Sequence, residues 1–198
     1  MFTGIIETIG TITELLYTET NKTFWVTSPL SNELKVDQSL AHDGVCLTVE
    51  EVKDNRHRVT AVLETLEKTN LQDWKPGKNI NLERCLSFNG KIEGHLVQGH
   101  IDTAGILTNI KEQKGSKHFI ISFPKQFANL VIEKGSIAIN GISLTAFNVG
   151  SQSFEVAIIP YTYEHTAIKH LKTGDKVNLE FDLIGKYLSH FQQVRDFQ

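Results

Sequence analysis

The chain contains only two cysteines, Cys46 and Cys85, among its 198 residues. Two cysteines cannot form a disulfide framework or a four-thiolate zinc site. One disulfide between them remains open, although a reducing cytosol would keep both thiols free. A small fold held by several disulfides or by a thiolate zinc site is therefore excluded.

Long apolar runs and basic clusters are also missing. No run approaches the roughly 18 apolar residues of a membrane span, and MFTGIIETIG has neither the basic start nor the cleavage site of a signal peptide. A formal net charge of -3, without a lysine or arginine block, gives no electrostatic footprint for nucleic acid or an anionic membrane. The sequence predicts a cytoplasmic protein that binds a small molecule, not nucleic acid or a membrane.

The motifs of several common enzyme classes do not occur. The chain has no GxGxxG, no P-loop, no GxSxG and no HExxH, and its histidines do not have the spacing of a closed metal site. No metal site is predicted. An apolar content of 40% with 22% charged residues is ordinary for a folded soluble protein.

The chain repeats itself. MFTGIIETIGTIT, from residue 1, aligns with LVQGHIDTAGILT, from residue 96, so that Gly4 matches Gly99 at an offset of 95. Further along the offset is 97, where SLAHDGVCLT matches SIAINGISLT and KPGKNINLE matches KTGDKVNLE. This period is far too long for a solenoid unit and indicates two tandem copies of one domain. We divide the chain into residues 1–95, 96–184 and a tail at 185–198.

Each copy has the pattern of short strands. VNLEFDL, residues 177–183, alternates strictly between apolar and polar residues and predicts a half-buried antiparallel strand. DG at 43–44 and NG at 140–141 lie between apolar runs and predict tight hairpins. We therefore expect a small β-barrel in each copy.

Helices are predicted at two places. PKQFANLVIEKG, residues 124–135, has helical spacing between a Pro start and a Gly stop. The tail GKYLSHFQQVRDF repeats apolar residues at Leu188, Phe191 and Val194 and predicts an amphipathic helix. Its apolar stripe can pack against another subunit or fold back on its own barrel, and the pattern alone does not distinguish the two.

The repeated segments GVCLTV and GISLTA carry a chemical difference. Cys46 in the first copy is matched by Ser143 in the second, while Thr48 and Thr145 are alike. A lone cysteine is commonly a small buried residue. A slot that accepts either thiol or hydroxyl suggests instead a polar contact to a ligand, not a covalent nucleophile.

The second copy carries most of the ionisable differences. His100, after the repeated Gly99, stands where the first copy has Ile5, and histidine exchanges protons near neutral pH. Lys134 and Asp182 likewise lack chemical equivalents in the first copy. The simpler interpretation is that all three are solvated surface residues. Two similar pockets with different side chains would suit a reaction in which two like molecules have unlike roles.

The segments MFTGIIE, AHDGVCLTV, GHLVQGHID, NGISLTA and VNLEFD together closely resemble the riboflavin synthase family, which is built from two lumazine-binding repeats. The resemblance covers nearly the whole chain. It implies an all-β fold of two six-stranded Greek-key barrels followed by a C-terminal helix, which in that family holds a homotrimer together.

The resemblance also implies a reaction. Two molecules of 6,7-dimethyl-8-(D-ribityl)lumazine exchange a four-carbon unit without a cofactor, giving riboflavin and 5-amino-6-(D-ribitylamino)uracil. One lumazine occupies the first barrel and the other occupies the second barrel of a neighbouring subunit. Whether the trimer associates with lumazine synthase remains open.

Carried over position by position, the resemblance implies two groups of substrate-binding residues. The first group comprises Gly4, Ile5, Ile6, Cys46, Leu47, Thr48, Thr60, Ala61, Val62, Leu63, Glu64 and Thr65. The second comprises Gly99, His100, Ile101, Lys134, Ser143, Leu144, Thr145, Ile159, Pro160, Tyr161, Thr162, Tyr163 and Glu164.

Five residues are candidates for the chemistry. We expect His100 with Thr145 to transfer the proton at the reactive methyl group, Ser39 and Cys46 to lie near the acceptor, and Asp182 to orient a partner. The alternative function is a lumazine- or flavin-binding antenna protein that catalyses nothing. Because the reactive polar residues are all present, the enzyme is favoured.

Overall fold

The computed structural model describes residues 1–195, and most of them form antiparallel strands. The first barrel contains β1 (Thr8–Thr18), β2 (Asn21–Thr27), β3 (Ser39–His42), β4 (Val45–Thr48), β5 (Glu51–Lys53), β6 (Arg56–Ala61) and β7 (Asn79–Arg84). The second contains β8 (Thr103–Gln113), β9 (Ser116–Ser122), β10 (Ser136–Ile139), β11 (Ile142–Phe147), β12 (Ser153–Ile158) and β13 (Lys176–Phe181).

The helical elements are short except for the last one. The α-helices are α1 (Leu63–Lys68), α2 (Pro160–His165) and α3 (Leu183–Arg195). Single 3-10 turns lie at Ser31–Glu33, Asn70–Asp73, Lys125–Leu130 and Ala167–His170. No helix within residues 1–195 has the length and apolar character needed to cross a membrane.

Both barrels have the same strand order. The second closes as β10-β11-β12-β9-β8-β13, and the first runs as β4-β3-β7-β1-β2-β6-β5. The single strand β11 pairs with both β10 and β12 and closes the second barrel, whereas in the first barrel β4 pairs only with β3 and β5 only with β6, which leaves a gap between them. The predicted all-β fold, with two six-stranded barrel-like domains and a C-terminal helix, is confirmed.

The two predicted hairpin turns meet at the seam between the barrels. Asp43 and Gly44 have φ angles of 45° and 80°, and Asn140 and Gly141 have angles of 45° and 79°. These left-handed angles are those of the two-residue turn that Asp-Gly and Asn-Gly favour. A Cβ on Gly44 would lie 2.6 Å from the Gly141 nitrogen, so glycine permits the turns to pack directly against each other.

The prediction that β13 is half-buried is wrong, because both of its faces are covered. Asn178 is 0% exposed and Glu180 is 1% exposed. The Asn178 side chain accepts a hydrogen bond from the Asn70 N–H (2.7 Å) and donates one to the Asp43 carbonyl (2.9 Å). The alternation correctly identified the strand. Its polar side chains are nevertheless not in water, because Asn178 faces the first barrel and Glu180 faces residues 98–100.

The helices depart from prediction in two places. The segment predicted as a helix at 124–135 forms only the 3-10 turn Lys125–Leu130. Helix α3 begins at Leu183, before the predicted Gly185, and residues 196–198 of the predicted tail lie outside the described residues. Ile184 and Leu188 line a cleft with Leu130 and Ile132 of the second barrel. Most of the apolar side chains of α3 nevertheless stay more than half exposed, so the barrel does not bury the stripe; these are Ile184, Tyr187, Leu188 and Phe191.

Candidate active site

Each barrel is preceded by a segment that crosses to the opposite barrel. These two crossing segments are residues 1–7, before β1, and residues 96–102, before β8. The Ser143 N–H donates to the Gly4 carbonyl at 2.8 Å, and the Cys46 N–H donates to the Gly99 carbonyl at 2.9 Å. The resemblance groups Gly4 with Cys46 and Gly99 with Ser143. Within this chain the hydrogen bonds instead join Gly4 to Ser143 and Gly99 to Cys46, so each segment contacts the barrel of the other copy.

Both crossing contacts require glycine. Gly4 and Gly99 have φ angles of 78° and 82°, in the left-handed region that disfavours other residues. An added Cβ would lie 2.6 Å from the Ser143 Cβ in one contact and 2.6 Å from the Cys46 Cβ in the other. The backbone at Gly4 therefore approaches Ser143 closely, and the backbone at Gly99 approaches Cys46 closely. The repeated glycines predicted such a close approach.

A cavity of about 520 Å³ lies beside the Gly4–Ser143 contact. It is formed by the N-terminal segment, the start of β11 and helix α2. Its walls comprise Gly4, Ile5, Ile6, Glu7, Thr8, Ile9, Ile142, Ser143, Tyr161, Thr162, Glu164, His165 and Thr166.

A second cavity, of about 640 Å³, lies between helix α1 of the first barrel and Gln126, Phe127 and Lys176 of the second, and none of the predicted binding residues lines it. Asp102, Thr103 and Ala104 line it, as Glu7, Thr8 and Ile9 line the first cavity. Helix α1 and the residue after it contribute Leu66, Glu67, Lys68 and Thr69, as α2 contributes to the first cavity. The two barrels therefore carry related concave surfaces.

His95 is a candidate functional residue that the sequence pattern did not reveal. Its Nδ1 lies 2.7 Å from the Ser143 hydroxyl, and its ring is half-buried. Burial lowers the pKa of His95, while the negative charge of Asp182 opposes this shift. His95 is therefore neutral at neutral pH and can accept a proton. Its signal in the sequence was its position just before the second copy, outside the aligned repeats.

Ser39 lies close enough to Cys46 on the first barrel for their side chains to form a hydrogen bond. Burial raises the pKa of the Cys46 thiol and outweighs the opposing hydrogen bond from the Ser39 side chain. A raised pKa leaves less of the nucleophilic thiolate at neutral pH. This environment agrees with the interpretation of Cys46 as a contact residue. Cys46 and Cys85 are both free thiols.

His100 and Thr145 lie at different sites within one chain. His100 follows the Gly99 that contacts Cys46, and its N–H donates to Glu180 at 3.1 Å. Thr145 lies on β11 near Ser143 and pairs with Ser136. A joint proton transfer by these two residues would therefore need two chains. Asp182 caps α3, because its carboxylate accepts the Ile184 N–H at 2.9 Å.

Most of the other predicted binding residues line neither cavity, among them Thr48, Thr60, Val62, Leu63, Glu64, Thr65, Ile101, Leu144, Ile159, Pro160 and Tyr163. Those that line the 520 Å³ cavity are Gly4, Ile5, Ile6, Ser143, Tyr161, Thr162 and Glu164. Leu47 and Ala61 are buried in the core of the first barrel. Lys134 does not line either cavity; its ammonium lies 5.4 Å from the Phe147 ring centre, and its backbone has a φ of 62°.

The two pocket helices carry different side-chain pairs at matching positions. On α1, the Lys68 ammonium and the Glu64 carboxylate form an ion pair at 2.7 Å. On α2, Tyr161 stacks on His165 with ring centres 4.2 Å apart. The sites therefore differ in charge as well as in their polar groups. Within residues 1–195 no cluster of three or more His, Cys, Asp or Glu side chains is arranged to hold a metal ion.

Comparison with known proteins identifies relatives over the whole chain. The family model described as the lumazine binding domain matches residues 3–85 and 98–182. The riboflavin synthase of Actinobacillus pleuropneumoniae is 37% identical over 192 residues, which is 96% of this chain and 89% of that protein. The riboflavin synthase of Mycobacterium tuberculosis (strain ATCC 25618 / H37Rv) is 37% identical over 203 residues, covering 98% of each.

Solved structures show the same fold. LumP complexed with riboflavin superposes with a TM-score of 0.86 at 20% identity, over 91% of this chain and 99% of that chain. LumP complexed with 6,7-dimethyl-8-(1'-D-ribityl) lumazine gives a TM-score of 0.84 at 20% identity, with the same coverage.

Proposed function

The chain belongs to the riboflavin synthase family, and we propose that it catalyses the reaction of that family. Two molecules of 6,7-dimethyl-8-(D-ribityl)lumazine would exchange a four-carbon unit, giving riboflavin and 5-amino-6-(D-ribitylamino)uracil. The observation that carries the proposal is the pair of related cavities with different polar side chains. Such a pair suits one substrate bound in two roles, as donor and as acceptor of the unit.

The second-barrel site supplies an acid–base pair. The dismutation needs a proton removed from the acidic 7-methyl group of one lumazine. A histidine that is neutral at the operating pH is a suitable base for this step. His95 and the Ser143 hydroxyl, 2.7 Å apart, form a chain along which a proton can pass. We therefore add His95 to the proposed catalytic residues. The reaction, a transfer between two substrates, would need no cofactor.

The first-barrel site presents Ser39, Cys46 and the segment that carries His100. We propose that the thiol and hydroxyl contact the lumazine ring or its ribityl chain. His100 of one chain would act with Thr145 of another, because the two residues lie at different sites of one chain. Lys134 would likewise reach a substrate across an interface, since it lies outside both cavities.

We propose that the active unit is a homotrimer, in which a first-barrel site of one protomer faces a second-barrel site of its neighbour. Support comes from the exposed apolar stripe of α3. Facing sites would hold the two lumazines in a reactive orientation, and orientation alone can provide much of the rate enhancement. The division at residues 95 and 184, the cytoplasmic location and an association with lumazine synthase stay predictions.

A turnover assay tests the proposed function. The purified protein is incubated with the ribityllumazine alone, and riboflavin is followed by its absorbance. We expect one riboflavin for every two lumazines consumed. Tight fluorescent binding without any riboflavin would overturn the enzyme and favour the non-catalytic binding protein. A His95→Gln variant that binds lumazine normally but turns over much more slowly would support the role of His95.

A further inference from the structure

We propose that Glu83 and Glu180 are positioning residues, each of which holds in place the backbone segment that contacts the site residues of the opposite barrel. The inference rests on the proposed function and extends it to two buried residues that line neither cavity. Both lie at matching places, Glu83 on β7 and Glu180 on β13. Their side chains are 4% and 1% exposed, which is unusual for carboxylates.

Glu83 holds the first crossing segment by three hydrogen bonds. Its Oε1 accepts the Thr3 N–H at 2.7 Å and the Thr3 hydroxyl at 2.8 Å. Its Oε2 accepts the Gly4 N–H at 3.0 Å. Among the described residues, sheet pairing of this segment is confined to the single bridge between Phe2 and Val97. The carboxylate thus supplies the acceptor for the N–H groups of Thr3 and Gly4, whose carbonyls accept the backbone N–H groups of His95 and Ser143.

Glu180 holds the second crossing segment in the same way. Its Oε1 accepts the Gln98 N–H at 2.6 Å, and its Oε2 accepts the Gly99 N–H at 2.9 Å and the His100 N–H at 3.1 Å. Three consecutive amides therefore converge on one carboxylate. Hydrogen bonds to an ionised acceptor are about twice as strong as neutral ones, which suits a group that must fix a backbone.

The effect of each carboxylate passes to the site on the other barrel. Glu83 belongs to the first barrel, but the Gly4 that it holds contacts Ser143 in the second-barrel cavity. Glu180 belongs to the second barrel, but the Gly99 that it holds contacts Cys46 in the first barrel. A loosened segment would therefore widen one site and leave the other intact.

Glutamine is the informative substitution at both positions. It keeps the shape of the side chain but replaces one acceptor oxygen by an NH₂ group, which would point a donor at a backbone N–H. Burial raises the pKa of both carboxyls. The hydrogen bonds that they accept from backbone N–H groups oppose this shift. The substitution removes the charge without emptying the space, so the barrels should still fold.

The experiment compares Glu83→Gln and Glu180→Gln with the unmodified full-length chain. Ribityllumazine binding is titrated by fluorescence, and turnover is measured on the same samples. We expect each variant to lose about tenfold or more in affinity at one of two sites, as an unsatisfied buried donor predicts. The second site should keep its affinity, and kcat should fall in both variants.

Core substitutions on the same strands serve as matched controls. Ile80→Ala on β7 and Val177→Ala on β13 remove fully buried side chains and lower stability without touching the crossing segments. If these controls weaken binding as much as the glutamine variants do at equal loss of stability, the positioning role is refuted. It is also refuted if both glutamine variants keep two sites with unchanged affinity.

Hydrogen exchange separates this inference from the proposed function. Amide exchange is measured on peptides that cover residues 1–6 and 96–102, with no lumazine present. Faster exchange of residues 1–6 in Glu83→Gln, and of 96–102 in Glu180→Gln, is expected whether or not the chain catalyses the reaction. Unchanged exchange would overturn the positioning role. Should a glutamine variant fail to fold, Thr3→Val removes one hydrogen bond to Glu83 and gives the same readout.

Discussion

Asp43 is a buried carboxylate at the seam between the barrels, and Asn140 occupies the matching position in the second barrel. The Asp43 Oδ1 accepts a hydrogen bond from the Asn81 N–H at 2.8 Å. Burial raises the pKa of Asp43 to about 6, against the attraction of Lys78 and the Asn81 hydrogen bond. A carboxyl with a raised folded-state pKa reduces stability as the pH rises through that value, because the ionised form is disfavoured in the folded state.

We predict that Asp43→Asn stabilises the protein above pH 6 and has little effect near pH 4. The expected gain at pH 8 is on the order of 2 kcal/mol in the free energy of unfolding. Denaturant unfolding at pH 4.5 and pH 8 measures it. The control is Asp175→Asn, because Asp175 is exposed and lines, together with Asp43, a cavity of about 220 Å³ at the seam. A gain that is equal at both pH values would contradict the assigned cause.

Cys46 gives a second prediction that follows from its environment. Its thiol has a raised pKa, and Ser143 fills the same slot in the second barrel. We expect Cys46→Ser to retain appreciable turnover, because serine keeps a small polar group against Gly99. Cys46→Leu should lose most lumazine binding at that site, since the Gly99 backbone lies in close contact. Full loss of turnover in Cys46→Ser, with lumazine still bound, would instead restore a chemical role to the thiol.

Some site residues could be predicted from sequence because the two copies could be compared. The repeated glycines Gly4 and Gly99 correctly indicated a close approach of backbone. Their contact partners were not predictable in the same way. A contact of Gly4 with Cys46 and a contact of Gly4 with Ser143 are chemically almost the same, so the residue types do not show which one forms. His95 was missed for a related reason, since it lies before the start of the second copy and has no residue in the first to compare with.

Strands β3 and β6 carry a polar pair inside the first barrel that the second barrel replaces with apolar residues. His42 and His57 are both 0% exposed, and their Nε2 atoms lie 2.9 Å apart. The Leu40 carbonyl can only accept, so His42 Nδ1 donates to it and His42 Nε2 accepts from His57. His57 Nδ1 then accepts from the Ser31 hydroxyl at 2.9 Å. Both rings are therefore held neutral.

This pair should make the first barrel sensitive to acid. Burial lowers the pKa of His42 well below its usual range and that of His57 to about 4. Unfolded histidines take up protons near pH 6.5 and the folded pair does not, so stability is lost as the pH falls from about 6.5 toward 4. We predict that the double variant His42→Ile, His57→Phe, which copies Ile139 and Phe154 of the second barrel, flattens this acid limb in thermal unfolding.

The single variants are the controls for that prediction. His42→Ile alone leaves the His57 Nε2–H without its acceptor and should destabilise more than the double variant does at pH 7.5. Equal acid sensitivity in the wild-type and doubly substituted proteins would show that other groups cause the acid loss. Turnover of the folded double variant should match the wild-type protein, because neither ring lines either large cavity.

Strand positions could be predicted more fully than helices. The hairpins at Asp43–Gly44 and Asn140–Gly141 have a strong local signal, because their φ angles need these residue types. α1 and α2 have six residues each, too short for a helical period to stand out from the neighbouring strands. The burial of Asn178 and Glu180 could not be predicted, because it depends on how two barrels and a crossing segment meet.

Helix α3 leaves an apolar surface exposed. The side chains of the α3 stripe are more than half exposed, while Lys186 holds the first turn of that helix to Asp102 by an ion pair at 2.6 Å. A helix that is fixed at its start and apolar on its outer face is suited to pack against a second copy of the chain. If facing sites of neighbouring protomers bind the two reacting lumazines, a change that disrupts the apolar stripe of α3 must reduce both assembly and turnover.

We predict that removing residues 185–198 gives a monomer that still binds lumazine but turns over at least about tenfold more slowly, because orientation of the two substrates is lost. Light scattering coupled to size-exclusion chromatography gives the mass, and the riboflavin assay gives the rate. A milder variant, Leu188→Glu with Phe191→Glu, keeps the helix and charges the stripe, while Gln193→Glu on the opposite face is the control. A monomer with full turnover would contradict the shared site, and a control that also dissociates would show that added charge alone disrupts assembly.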